Sequence, residues 1–177
     1  GRLYQRLDST TSINFKVEAL VQYFQETPPR DAVWGLNLLL GKRQRRMVTS
    51  RMLRDAFLRS FPDFPEWLLE ESYGHVGDTG ETVSLLLASR GICPNESQQL
   101  VSLSSWMEDR ISKLSGKEDQ QRAEKIFEWW SNLSVDECYL LNKLLTGGLR
   151  VGVSQKLVVR ALSKWSGISE AELTHRL

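Results

Sequence analysis

The 177-residue sequence predicts an all-α fold, a compact bundle of about ten helices in two lobes. Three observations lead there. Apolar residues recur at helical spacing in segment after segment, as in Leu140, Leu141, Leu144 and Leu145, and again in Leu157, Val158, Ala161, Leu162 and Trp165. Capping residues punctuate the chain, with Ser, Thr or Asp before apolar runs and Gly after them. No stretch alternates apolar and polar residues as a half-buried strand would, and there is no repeat or low-complexity tract.

Taken in order, residues 4–13 lead into a helix over Asn14–Gln25, with Thr10, Thr11 and Ser12 as capping candidates. Pro28 and Pro29 suit the first turn of the next helix, where a missing amide proton costs nothing. Its body, DAVWGLNLLL, is apolar nearly all round and is expected to be deeply buried. Gly41 closes it, and KRQRR follows. Thr49 or Ser50 caps a helix through Phe61, Pro62 and Pro65 bracket a break, and WLLEESYGHV forms another helix. Asp78 with Glu81 makes a capping-box-like start for the helix after Gly77, and two carboxylates there would repel phosphate. Further helices are expected over Leu100–Leu114, Lys117–Asn132 and Val135–Thr146, the last opened by a Ser134–Glu137 capping box; Ser169 and Glu172 form another box near the end. Ser89–Gln99, with Gly91 and Pro94, is the clearest internal boundary, dividing one domain over 1–177 into lobes at about 1–90 and 98–177.

Composition is that of a soluble globular chain: 41% apolar, 25% charged, net charge +1. No apolar run is long enough to span a membrane, and the polar start lacks a signal-peptide core. The charges are segregated. Between Lys42 and Arg59 seven cations face Asp55 alone, whereas every charge from Asp63 to Glu81 is acidic; cations dominate again from Lys143 to Lys164. One positive face on a nearly neutral molecule is therefore possible. Cys93 and Cys138 fit no metal or redox spacing and read as reduced thiols. Trp106, Trp129 and Trp130 read as core and lobe-packing residues rather than base-stacking platforms.

The most informative stretch is LLNKLLTGGLRVGVSQKLVVRALSKW, from Leu140 to Trp165: two apolar-striped helices around a turn with Gly147, Gly148 and Gly152. Ser154 is a good N-cap, but Leu157 stands where a capping box needs Glu or Gln, so the first amides are only partly satisfied. Lys156, Arg160 and Lys164 follow at four-residue spacing on the polar face. A cation in the first turn opposes the helix dipole, unless a phosphate rests on the free amides. Two readings stand: a plain helical hairpin whose glycines shape its loop, or a phosphate site. KRQRR likewise divides between a solvated charge run and phosphate contacts at Lys42 and Arg43.

LLTGGLRVGVSQKLVVRAL resembles the signature near the end of the N-terminal DNA-binding domain of ATP-dependent DNA ligases, and is most similar to the bacterial ligases labelled as cisplatin-damage-response ligases. LDSTTSINFKVEALVQYF and EESYGHVGDTGETVSLLL extend the resemblance over essentially the whole chain. It implies non-sequence-specific binding of nicked duplex DNA, from the minor-groove side and through the backbone, in DNA repair, replication and recombination. Gly147, Arg150 and Gly152 match the family turn, and Ser154, Gln155 and Lys156 open the next helix. Gly148 stands where many eukaryotic relatives carry arginine. Arg160 adds a further cation on that helix, and Thr11 and Lys16 match a turn that lies against DNA in the family. The resemblance further implies a nucleotidyltransferase domain and an OB-fold domain outside this chain as partners, with ATP and Mg2+ serving the full-length enzyme, a monomer, and a cytoplasmic, nucleoid setting. The rival reading is a helical protein–protein interaction module anchored by its tryptophans.

No catalytic or metal-ligating residue is identified, and no cofactor is expected on this segment. The adenylated lysine of such ligases lies in a K-x-D-G motif, absent here; Lys117-Glu118-Asp119-Gln120 lacks the glycine. There is no P-loop, H-E-x-x-H or nucleophile elbow. Incubated with labelled ATP and magnesium, the chain is expected to stay unlabelled. A covalent AMP adduct on any of its lysines would contradict this reading.

Overall fold

Helix starts follow the capping residues closely. The computed structural model describes residues 1–42, 47–97, 101–149 and 151–177, and all regular structure among them is helical. Two units emerge, one made of Gly1–Arg43 with Arg150–Leu177, the other of Gln44–Leu149. This division differs from lobes parted at Ser89–Gln99. The breakers there interrupt the chain but not the packing, because the helices on either side of that boundary pack against each other.

In the first unit, α1 (Arg2–Asp8) precedes α2 (Ile13–Glu26), α3 (Pro29–Leu39), α10 (Gln155–Ser166) and α11 (Glu170–Arg176). Ser12 caps α2, accepting from the Phe15 amide at 3.4 Å. Pro29 begins α3 as expected, and Gly41 closes it. Helix α1 was not foreseen, since seven residues hold too little periodicity to read. The core gathers Leu7 from α1, Val17, Ala19, Leu20 and Phe24 from α2, and Val158, Val159, Ala161 and Leu162 from α10. Each large apolar side chain so buried contributes about 1.5–3 kcal/mol. Helix α3 corrects one expectation. Only Gly35 and Leu39 are buried on it, while Val33 is 59% exposed. It packs one side, with Ala32, Leu36 and Leu39, against the core rather than its full circumference.

In the second unit, α4 (Ser50–Ser60) packs on α8 (Asp119–Trp130), and α6 (Thr79–Ser89) packs on α9 (Val135–Thr146), with α5 (Glu66–Val76) against α6. Thr49 caps α4, accepting from Met52 at 3.1 Å. The single helix expected over Leu100–Leu114 is instead a short α7 (Leu103–Ser105), a π-helical turn over Trp106–Ile111 and a 3-10 turn over Ser112–Leu114. Ser134 does open α9, but its hydroxyl turns to the Glu137 carboxylate at 3.3 Å and no capping bond to the backbone forms. Trp129 and Trp130 are buried and Trp106 is half-buried, its ring edge-on to Trp129 at 5.4 Å. The Trp130 Nε1 donates to Asn142 Oδ1 at 2.8 Å, and the Asn142 amide donates to the Gly80 carbonyl at 3.1 Å. This satisfied relay ties α8, α9 and α6 and fixes Trp130 in the core.

Tyr23 of α2 lies close over Gly35 of α3. A Cβ built on Gly35 would lie 2.1 Å from the Tyr23 hydroxyl and 2.8 Å from its ring. Tyr23 is held there by donating to the Asp31 carbonyl at 3.1 Å, and its pKa is pushed up to about 12 by burial and by the Asp31 charge. Gly35→Ala should therefore destabilise the chain by about 1–3 kcal/mol, seen as a lower urea midpoint. An unchanged midpoint would contradict this packing.

Candidate nucleic-acid interface

Helix α10 buries Val158, Val159, Ala161 and Leu162, which turns Gln155, Lys156 and Arg160 outward to solvent. Ser154 caps it, its hydroxyl accepting from the Leu157 amide at 3.3 Å. The first intrahelical bonds belong to Leu157 and Val158, both to the Ser154 carbonyl. The amides of Gln155 and Lys156 therefore face out of the helix end, where the dipole is positive. The expected row of three cations is unequal. Lys164 is paired with Glu18, and Arg160 lines an open hollow of about 520 Å³ that also contains Glu18 and Glu170. Lys156 forms no ion pair among the described residues. The end of α10 nearest the glycine turn is its most anion-ready part.

Lys16 reaches this end from α2. Its ammonium donates to the Gly152 carbonyl at 2.8 Å across 136 positions of sequence. Two candidate residues far apart in the chain are thus adjacent, and the ammonium keeps two further donors. Gly152 sits in a tight turn in which the Val153 amide donates to the Val151 carbonyl. Its φ is not positive, and a Cβ there would meet nothing nearer than Lys16 Nζ at 3.9 Å. Among the described residues, neither backbone conformation nor packing requires glycine at 152. Thr11 is exposed just before the cap of α2. The sequence reading missed Ile13 and Phe15, which are 57% and 45% exposed beside Lys16. Phe15 lies off the α2 core stripe, and that displacement was the available signal; Ile13 continues the stripe but stands at the exposed first position of the helix.

Gly147 and Gly148 belong to the second unit. Gly147 ends α9 with φ +65°, a conformation that favours glycine. Its amide donates to Leu144 and that of Gly148 to Lys143, which completes a Schellman cap. Both amides are therefore engaged by the helix end. Lys42, in the first unit, is exposed just beyond α3. Arg43 and Arg150 lie outside the described residues.

The family model described as DNA ligase N terminus matches residues 2–163. Comparison with the curated proteins gives no match. The sequence has no K-x-D-G motif, and among the described residues no three His, Cys, Asp or Glu side chains converge. No helix among the described residues is long and apolar enough to cross a membrane.

The other glycine turn, Gly77–Glu81, is built for structure. Asp78 caps α6, accepting from the Glu81 amide at 3.0 Å, and its second oxygen takes the Lys143 ammonium at 2.5 Å. Partial burial raises the Asp78 pKa, but the Lys143 ammonium and the Glu81 amide outweigh it and hold the carboxyl below its ordinary value of 3.8. A depressed carboxyl stabilises the fold above its unfolded pKa, and that contribution is lost as pH falls through the folded value. Asp78→Ala should cost about 0.5–2 kcal/mol near neutrality. The gap from the parent chain should narrow on acidification below pH 3.8; a pH-independent gap in urea midpoints would contradict the ion pair.

Proposed function

We propose that this chain, which belongs to the family of the N-terminal domain of ATP-dependent DNA ligases, holds nicked duplex DNA by its sugar–phosphate backbone without reading sequence. The observation that carries this is the meeting of Lys16 with the Gly152 turn beside the uncompensated start of α10. Outward amides, the positive helix end, Lys16 and Lys156 all favour one phosphate position. Gly152, unconstrained by its own fold, leaves room for close approach of a backbone. Ile13 and Phe15 offer apolar surface to the sugars of a minor groove, as such binders commonly do. Gly147, Gly148, Thr11, Gln155, Arg160, Lys42, Arg43 and Arg150 supply weaker DNA contacts on this reading. Phosphate contacts position a protein without carrying sequence information, which suits an activity needed at any nick.

On this reading, adenylyl transfer with ATP and Mg2+ belongs to a nucleotidyltransferase domain acting with an OB-fold domain beyond this segment. The DNA-binding segment then works as a monomer in nick sealing during repair, replication and recombination, in the cytoplasm at the nucleoid.

A titration with nicked duplex at several salt concentrations tests the proposal. If about five phosphates are neutralised, the log–log slope should be roughly −4.5, a loss of several hundred-fold between about 50 and 200 mM salt. Lys16→Ala/Lys156→Ala should flatten the slope by about two units without changing sequence preference. The charge-matched control is Lys113→Ala/Lys117→Ala, because neither lysine forms an ion pair among the described residues. Arg122 is a poor control, since it donates to the Leu114 carbonyl and pairs with Asp119. Gly152→Val should fold normally yet bind more weakly. Equal losses in both double variants would mean diffuse attraction and no site at the turn.

A further inference from the structure

Cys93 and Cys138, the two cysteines of the chain, are 45 positions apart, yet their sulfurs lie 3.5 Å from each other. Cys138 is fully buried on the first turn of α9, where its thiol also faces the Trp130 and Leu133 carbonyls. Cys93 is half-buried in the coil that follows α6. That coil is pinned at both ends. The Ile92 amide donates to the Leu87 carbonyl, and the Ser97 hydroxyl accepts from the Ser134 amide at the start of α9. Juxtaposition of the two thiols is thus built into the second unit by neighbouring hydrogen bonds. A disulfide requires the sulfurs to close from 3.5 Å to about 2.05 Å.

We propose that Cys93 and Cys138 form an oxidant-sensitive modification site, in which Cys93 reacts with a hydroperoxide and Cys138 resolves the product to an intramolecular disulfide. The roles follow from the surroundings. Cys93 has the solvent access, and a hydrogen bond from the Cys138 thiol favours its thiolate, lowering its pKa. The Cys138 thiol is raised by its contact with Cys93 and by burial, so it stays protonated and is shielded from bulk oxidant. In the first step the Cys93 thiolate attacks one peroxide oxygen. The O–O bond breaks, hydroxide leaves and is protonated to water, and Cys93 becomes a sulfenic acid. In the second step the Cys138 sulfur attacks the Cys93 sulfur, the S–O bond breaks, and the Cys138 proton leaves with the hydroxyl as water. Two thiols lose two electrons, and hydrogen peroxide is reduced to two waters. The resulting bond would tie the coil after α6 to the helix that ends in Gly147 and Gly148.

The test exposes the chain to hydrogen peroxide, blocks remaining thiols with an alkylating reagent and measures intact mass. The expected product is a monomer that has lost two hydrogens, takes up no alkyl group, carries a Cys93–Cys138 cross-link on peptide mapping and reverts with dithiothreitol. Closure should be several-fold faster in the native chain than in the same chain unfolded in urea. Cys138→Ala should accumulate a sulfenic acid at Cys93 that dimedone traps, whereas Cys93→Ala should leave Cys138 as a thiol over the same interval. Independent over-oxidation of both residues, cross-linked dimers alone, or equal closure rates in folded and unfolded chains would overturn the proposal.

Discussion

The packing of α2 on α10 is the constraint on which the candidate interface depends. The two helices come from opposite ends of the chain, and their joint core is what makes the N-terminal and C-terminal segments one unit. Alanines at 19 and 161, both fully buried, let that core be shared without bulky side chains at those positions. Once the stripes of Val17, Leu20 and Phe24 and of Val158, Ala161 and Leu162 share this core, the polar faces have no freedom left. Lys16 then falls at the Gly152 carbonyl, and Lys156 is exposed in the first turn of α10. Burial of the two apolar stripes, with the Lys16 bond to the Gly152 carbonyl, fixes where these cations stand.

The second unit is organised differently, around satisfied polar groups in a closely packed interior. Gly80 allows α6 to approach α9 so tightly that a Cβ there would meet Lys143 and Asn142 at 3.2 and 3.3 Å. That closeness lets Asn142 bridge the Gly80 carbonyl and the Trp130 indole, and it brings Lys143 to Asp78. The same helix presents Cys138 at one end and the glycine cap at the other. A bond formed at Cys93 is therefore transmitted to a rigid element rather than to a loose surface.

Helix existence was legible because capping and periodicity agreed along most of the chain. Ser154, Thr49 and Asp78 cap where the sequence said they would. Failures occurred where tertiary packing overrode a local signal. DAVWGLNLLL looked fit for full burial, but only one side of the helix meets neighbouring structure, Gly35 and Leu39 fully and Ala32 and Leu36 in part, while Val33 is exposed. The segment from Trp106 to Ile111 carries an ordinary helical pattern, and nothing in that pattern announces a π-helical turn. The split of the chain into units could not be read from the Gly91–Pro94 breakers, because breakers mark where the backbone turns, not where packing ends. At the candidate site, Gly152 and Lys156 stood out locally and through family likeness. The nearness of Lys16 to Gly152, and of Cys93 to Cys138, is a long-range consequence of folding that a single sequence does not encode in its spacing.

The most direct measurement is an amide chemical-shift titration of the isotope-labelled chain with nicked duplex DNA. The account predicts that the largest shifts fall on Gly152, Ser154, Gln155 and Lys156 and on Ile13 to Lys16, with the Schellman amides of Gly147 and Gly148 moving less. Shifts centred instead on the hollow lined by Trp106, Arg110 and Lys113, with the start of α10 unmoved, would contradict it.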